Sequence, residues 1–333
     1  MFLPASHQFS LGTIAPTSPF AIEVGYLLVG GGGNGGVGAI DRNPAFSSRI
    51  IAGGGGGGGG QCLYGFINLQ KNTTYPINIC LDGSNASRGQ TTFAGLTALT
   101  GGKGGGTPGA TPNYDGEDVV GGGGGGGGFS IGDSPSYTYP VRSGSPGNLS
   151  TFNATKGSYG SSSLQGAGGG GAGGVIGVNG NPSRAREPGE SGTNTAGWGS
   201  PPAVFTIANY TIIVGAGGGG ATLYQQSNRG QGGYYNYTTK YGGDGGYFSQ
   251  FGTPQNSAYR IAATNAPFAN SGSGGGGAAG EDAIPGYGSS GRVVIFYRGA
   301  ARASVSGVNQ TTNVGAQYTV HFFYANGTIS FSS

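Results

Sequence analysis

The chain has 333 residues, of which 80 are Gly and 17 are Pro, yet 11% are aromatic and only 8% are charged. Disordered linkers are poor in aromatics and rich in charge, so this balance argues for a folded chain despite the glycine. A net charge of +3 with no Lys/Arg run excludes an electrostatic footprint for nucleic acid. No apolar stretch approaches the roughly 18 residues that cross a bilayer.

The opening MFLPASHQFSLG lacks a basic region followed by an apolar one, which predicts synthesis in the cytoplasm of the producing cell. AIEVGYLLVG (21–30) then reads as a strand. A run of eight glycines (53–60) leads into CLYGFINL and YPINICL, two β-rich pieces around the Lys71-Asn72-Thr73 break. A hairpin centred near residue 71 would set Cys62 opposite Cys80, within disulfide reach; two free buried thiols fit the same segment. A second eight-glycine run spans 121–128. Strands follow at FTIANYTIIVGAG (205–217) and GRVVIFY (291–297), with shorter glycine runs at 217–220 and 274–277. QYTVHFFYANGTISF reads as a hairpin turning at Asn326-Gly327. No segment keeps a capped 3.6-residue apolar period, so almost no α-helix is expected.

Long glycine runs can adopt polyproline II geometry, which has no internal hydrogen bonds and rises about 3.1 Å per residue. Buried backbone groups must be paired, and several runs packed side by side can pair one another. The expected fold class is all-β with irregular structure: short strands and hairpins plus packed polyglycine II helices. A linker would tolerate Gly56→Val, whereas packed backbone would not. Residues 1–298 form the glycine-rich domain in this reading, and 299–333 a C-terminal hairpin segment docking on the same or a neighbouring subunit.

Motifs for catalysis fail one by one. Gly31, Gly33 and Gly36 follow a strand as in a dinucleotide fingerprint, but no helix pattern follows, and Lys103 is followed by Gly104 rather than Ser or Thr. Gly128-Phe129-Ser130-Ile131-Gly132 matches a nucleophile elbow without the strand-turn-helix context. His7 and His321 have no partner in sequence, and Asp115, Glu117, Asp118, Glu281 and Asp282 lack the spacing of a calcium loop. Eight N-x-[ST] sequons, at Asn72, Asn85, Asn148, Asn153, Asn209, Asn236, Asn309 and Asn326, are a mild excess over chance. No enzyme activity, metal or cofactor is expected. GQGGYYNYTTKYGGDGGYFSQF (230–251) interleaves Tyr234, Tyr235, Tyr237, Tyr241, Tyr247, Phe248 and Phe251 with small polar residues, as binding paratopes do. The same aromatics would equally fill a subunit interface.

VGYLLVGGGGNGG (24–36), TYPINICLDG (74–83), IIVGAGGGG (212–220) and SGRVVIFY (290–297) together resemble the glycine-rich domain of phage tail-fibre proteins and of proteins from marine microbes and large viruses. The chain also resembles the polyglycine-core tip adhesins of long tail fibres, and its end is similar to the YxVHxFxxxGxFxF strand pair that usually precedes such a domain, with Ile329 at one Phe position. The resemblance implies a non-enzymatic virion structural protein, a tail fibre, spike or receptor-binding adhesin at the virion surface. Its implied partners are other virion proteins, a host-surface glycan or protein receptor, and further copies of itself, with no nucleic acid and no membrane insertion. An architectural capsid-associated or extracellular filament-forming subunit is the alternative. A surface-adsorbing, ice-binding-like protein ranks third, because strict G-x-x triplets are not sustained.

Overall fold

The computed structural model describes residues 20–37, 39–42, 49–81, 90–104, 129–132, 196–207, 209–222, 229–235, 239–248, 260–279, 284–307, 309–314 and 317–332. The run 121–128, Tyr237, Phe251, His7 and the carboxylates at 115–118 and 281–282 lie outside them. Among the described residues there are strands and no helix, so the described part of the chain is all-β.

The strands are β1 (Ala21–Val29), β2 (Ala39–Arg42), β3 (Arg49–Gly53), β4 (Cys62–Gln70), β5 (Thr74–Asn78), β6 (Thr91–Phe93), β7 (Leu96–Ala98), β8 (Phe129–Gly132), β9 (Ala203–Ile207) and β10 (Tyr210–Val214). They continue with β11 (Tyr234–Tyr235), β12 (Thr239–Lys240), β13 (Tyr247–Phe248), β14 (Arg260–Ile261), β15 (Arg292–Arg298), β16 (Ala303–Ser306), β17 (Gln310–Val314), β18 (Tyr318–Phe323) and β19 (Gly327–Phe331). One antiparallel sheet runs β17-β18-β15-β1-β4 and a second runs β16-β19-β5-β6-β7.

Side-chain alternation decides how these sheets stack. Val24, Leu28, Val293, Ile295 and Phe323 of the first sheet meet Ile77, Phe93, Ile329 and Phe331 of the second in one core. The opposite face of the first sheet carries Leu27, Val29, Val294, Phe296 and Phe322, which pack beneath Phe205, Ile207 and Ile212 of the β9-β10 hairpin. The first sheet is therefore the middle layer of three, and strands buried on both faces read as continuous apolar runs. That is why YLLV and VVIFY show no polar alternation.

Two expected hairpins do not form. β4 pairs with β1, whereas β5 pairs with β6 and β19 in the other sheet. Cys62 lies opposite Val29 in the middle sheet, while Cys80 sits beside Thr91, whose hydroxyl accepts its N–H at 3.1 Å. Both cysteines are buried with their thiols not joined to each other, so the structure does not form the disulfide alternative. Likewise β18 joins β15 and β19 joins β5, so residues 324–326 carry the chain from one layer to the other. The burial of YTVHFF on nearly every residue suits the middle layer, and the alternation of GTISF suits an outer one. FTIANYTIIV, read as a single strand, reverses at Asn209, pairing Ile207 with Tyr210.

The described glycine-rich segments 30–36, 54–61, 215–221 and 272–278 extend from one end of this sandwich as backbone outside the named strands. Val29, Cys62 and Arg292 share that end in register, and the hydrogen bonding carries on past it. Gly30, Gly33 and Gly36 donate to the carbonyls of Gln61, Gly58 and Gly55, a bond at every third residue. Gly54, Gly57 and Gly60 in turn donate to Ala278, Gly275 and Gly272. The segment 272–279 exchanges backbone bonds with six others: 30–36, 54–60, 215–222, 241–246, 262–266 and 284–291. Buried N–H and C=O groups are thus satisfied by neighbours on all sides. A side chain has no room there: a Cβ on Gly276 would lie 1.8 Å from the Asp244 carbonyl oxygen.

Candidate contact surface

The short hairpin β11-β12 projects from the flank of the glycine bundle near its junction with the sandwich. Its level follows from the register, since Gly233 donates to Gly217 and Gly217 in turn to Ser200, close to the end of β10. Tyr234 pairs with Lys240 and Tyr235 with Thr239. All four are half-buried.

Beneath the hairpin lies a buried carboxylate. Asp244 Oδ2 is 2.6 Å from Lys240 Nζ and 3.6 Å from Arg229, and Oδ1 accepts the Gly232 N–H at 3.0 Å. Its own N–H donates to Thr264 Oγ1 at 2.7 Å. A buried charge is stable only when paired and hydrogen-bonded, and here the pairing ties both flanks of the hairpin to the bundle. Lys240 Nζ also lies 5.4 Å from the Tyr234 ring centroid, a cation–π arrangement. The Tyr234 hydroxyl donates to Gln231 Oε1 at 2.5 Å, and the Trp198 ring stands 6.3 Å away.

Tyr241 stacks on exposed Phe268 at 4.5 Å between centroids, and burial raises its hydroxyl pKa, opposed by the Arg292 charge. Arg292 donates from Nε to the Asn270 carbonyl and places its guanidinium 5.4 Å over the Tyr324 ring. Burial lowers its pKa, while Tyr324 and Tyr241 act against the shift. Tyr234, Tyr235, Tyr241, Trp198, Phe268 and Tyr324 thus form an aromatic flank around two anchored cations.

The sequence-selected aromatics do not all meet. Tyr247 pairs with Ile261 and bridges Thr222 at the far end of the bundle, past the Gly246–Gly277 bond. It lies six positions beyond Tyr241, about 19 Å at roughly 3.1 Å per residue. Phe248 is in register with Arg260. Trp198, Phe268, Arg292 and Tyr324 were missed by sequence reasoning because no spacing links them. The one available signal was Trp198, the chain's single tryptophan, set between glycines.

Chemically, the flank offers stacking faces and hydrogen-bonding edges rather than an acid–base pair. His321 lies in the sandwich core, and Ser130 sits in β8, which pairs with β3. Among the described residues no group of three or more His, Cys, Asp or Glu is placed to hold a metal ion. No described helix is long and apolar enough to cross a membrane. Comparison with family models, with curated proteins and with solved structures finds no match to this chain.

Proposed function

We propose that the chain is a non-enzymatic display protein: a receptor-binding adhesin, spike or tail-fibre component of a virion, built on a core of packed polyglycine II helices. Bonding at every third residue and six bonded neighbours around 272–279 support the helical reading, because a threefold screw presents its N–H and C=O groups in just this rhythm. Such a core is stiff without side-chain packing. The observation that carries the functional reading is the aromatic flank fixed to it, with Tyr234, Tyr241 and Trp198 half-buried on anchored backbone. Rigid aromatics on a stiff frame lose little entropy on contact with a glycan or protein receptor.

Adsorption of the purified chain to host cells or immobilised glycans, compared with its Y234A/Y235A/Y241A variant, tests this reading. Loss of adsorption at an unchanged melting temperature supports it. Equal adsorption removes the flank from the function.

A second reading, an architectural subunit that assembles with copies of itself, draws on the sheet edges. Among the described residues β17 ends one sheet and β16 ends the other, so each strand has one edge without a described partner strand. Edges of this kind template further strands. Sedimentation velocity separates the readings: a concentration-dependent filament favours assembly, and a discrete small species favours the adhesin.

A further inference from the structure

At the end of the sandwich away from the glycine bundle, a cavity of about 400 Å³ opens between the start of β1 and the end of β15. Its volume falls in the range of small-molecule sites. The apolar wall is set by a missing side chain. The Phe296 ring lies over Gly25, where a Cβ would come within 2.1 Å of it. Phe66 stands edge-on to Phe296 at 5.8 Å and is itself partly exposed.

Lys71, Arg298 and Arg302 line the same cavity, with Glu23 as the carboxylate among them. The ion pairs among the described residues both involve Asp244, far away at the bundle, so no described carboxylate lies within 4.0 Å of these three cations. Their backbone is nonetheless fixed. Lys71 donates its N–H to the Phe20 carbonyl at 2.9 Å, and Arg298 is in register with Tyr318. Arg302 donates its N–H to the Tyr297 hydroxyl at 3.2 Å and holds its guanidinium 5.5 Å from that ring's centroid.

We propose that this cavity binds a carboxylate-bearing sugar, a site separate from the aromatic flank and independent of the reading given for it. The guanidinium forks of Arg298 and Arg302 match a planar carboxylate. The Phe66–Phe296 wall offers an apolar face for the C–H side of a sugar ring. Glu23 accepts hydroxyl hydrogens and disfavours a compact dianion.

Calorimetric titration of the full chain with glucuronate, glucose and inorganic sulfate tests the proposal. Glucuronate is expected to bind about tenfold or more tightly than either control, the scale of one charge-assisted hydrogen bond or one well-buried apolar face. R298Q/R302Q, at an unchanged melting temperature, is expected to lose about tenfold for glucuronate. F66A is expected to weaken glucuronate while leaving sulfate unchanged. Equal binding of glucose and glucuronate, equal binding of sulfate and glucuronate, or an unaffected R298Q/R302Q each overturns it.

Discussion

The Tyr297 hydroxyl lies 3.0 Å from Nε2 of His321, and the other ring nitrogen, Nδ1, lies 2.9 Å from Thr311 Oγ1. Tyr297 Oη already accepts the N–H groups of Arg302 and Ala303 at 3.2 and 3.3 Å. Its single hydrogen is therefore donated to Nε2, which assigns the proton of a neutral imidazole to Nδ1. His321 is 1% exposed, and burial lowers its pKa from 6.5 to about 4.

That depression has a consequence for acid stability. Below pH 6.5 the unfolded chain takes up a proton that the folded chain refuses until about pH 4, so stability falls as pH falls through this window. The full effect, reached below about pH 4, is about 3 kcal/mol. Melting temperatures measured from pH 7.5 to 4.5 should decline, and H321N should flatten that decline. A profile for the native chain as flat as that of H321N contradicts the assignment.

Backbone packing predicts an unusual contrast among glycines. Gly276→Ala places its Cβ 1.8 Å from the Asp244 carbonyl oxygen, and Gly57→Ala places one 2.1 Å from that of Gly33. Neither neighbour is a side chain that can swing away. Each change is expected to destabilise by about 3 kcal/mol or more, in the upper part of the range for overpacking, or to prevent folding. Gly95 has φ +80° in a turn with nothing within 4 Å of an added Cβ. Gly95→Ala should cost only about 1–2 kcal/mol, the left-handed penalty alone. Chemical denaturation of the three variants measures the gap, and equal costs would refute a close-packed glycine core.

Thiol chemistry separates the two fates once open to the cysteines. Cys62 is fully buried, with its pKa pushed up to about 12, and Cys80 is buried beside Gly31. The native chain should resist a thiol reagent at pH 8, because the thiolate is the reactive form. In denaturant without reductant both thiols should titrate. Thiols absent after denaturation would restore the disulfide.

Strand positions were legible because β-branched and aromatic runs bounded by Gly, Pro and Asn have few other uses. AIEVGYLLV, AVFTI, YTIIV and RVVIFYR all became strands. Partner choice was not legible. Turn chemistry at Lys71-Asn72 and Asn326-Gly327 looked like hairpin chemistry, yet each turn crosses between layers. The apolar demand of a two-faced middle sheet outweighed local pairing. The aromatic flank was half legible: Tyr234, Tyr235 and Tyr241 advertised themselves by spacing, whereas Phe268, Arg292 and Tyr324 reached them only through the fold.

By itself the sequence determined a β-rich chain whose glycines alternate with strand-forming runs, because composition fixes what a backbone can and cannot bury. Only the tertiary structure decided which sheet each strand joined and which glycine segments met. Those choices depend on long-range register, and register is set when both faces of the middle sheet find cover and every buried N–H finds a carbonyl.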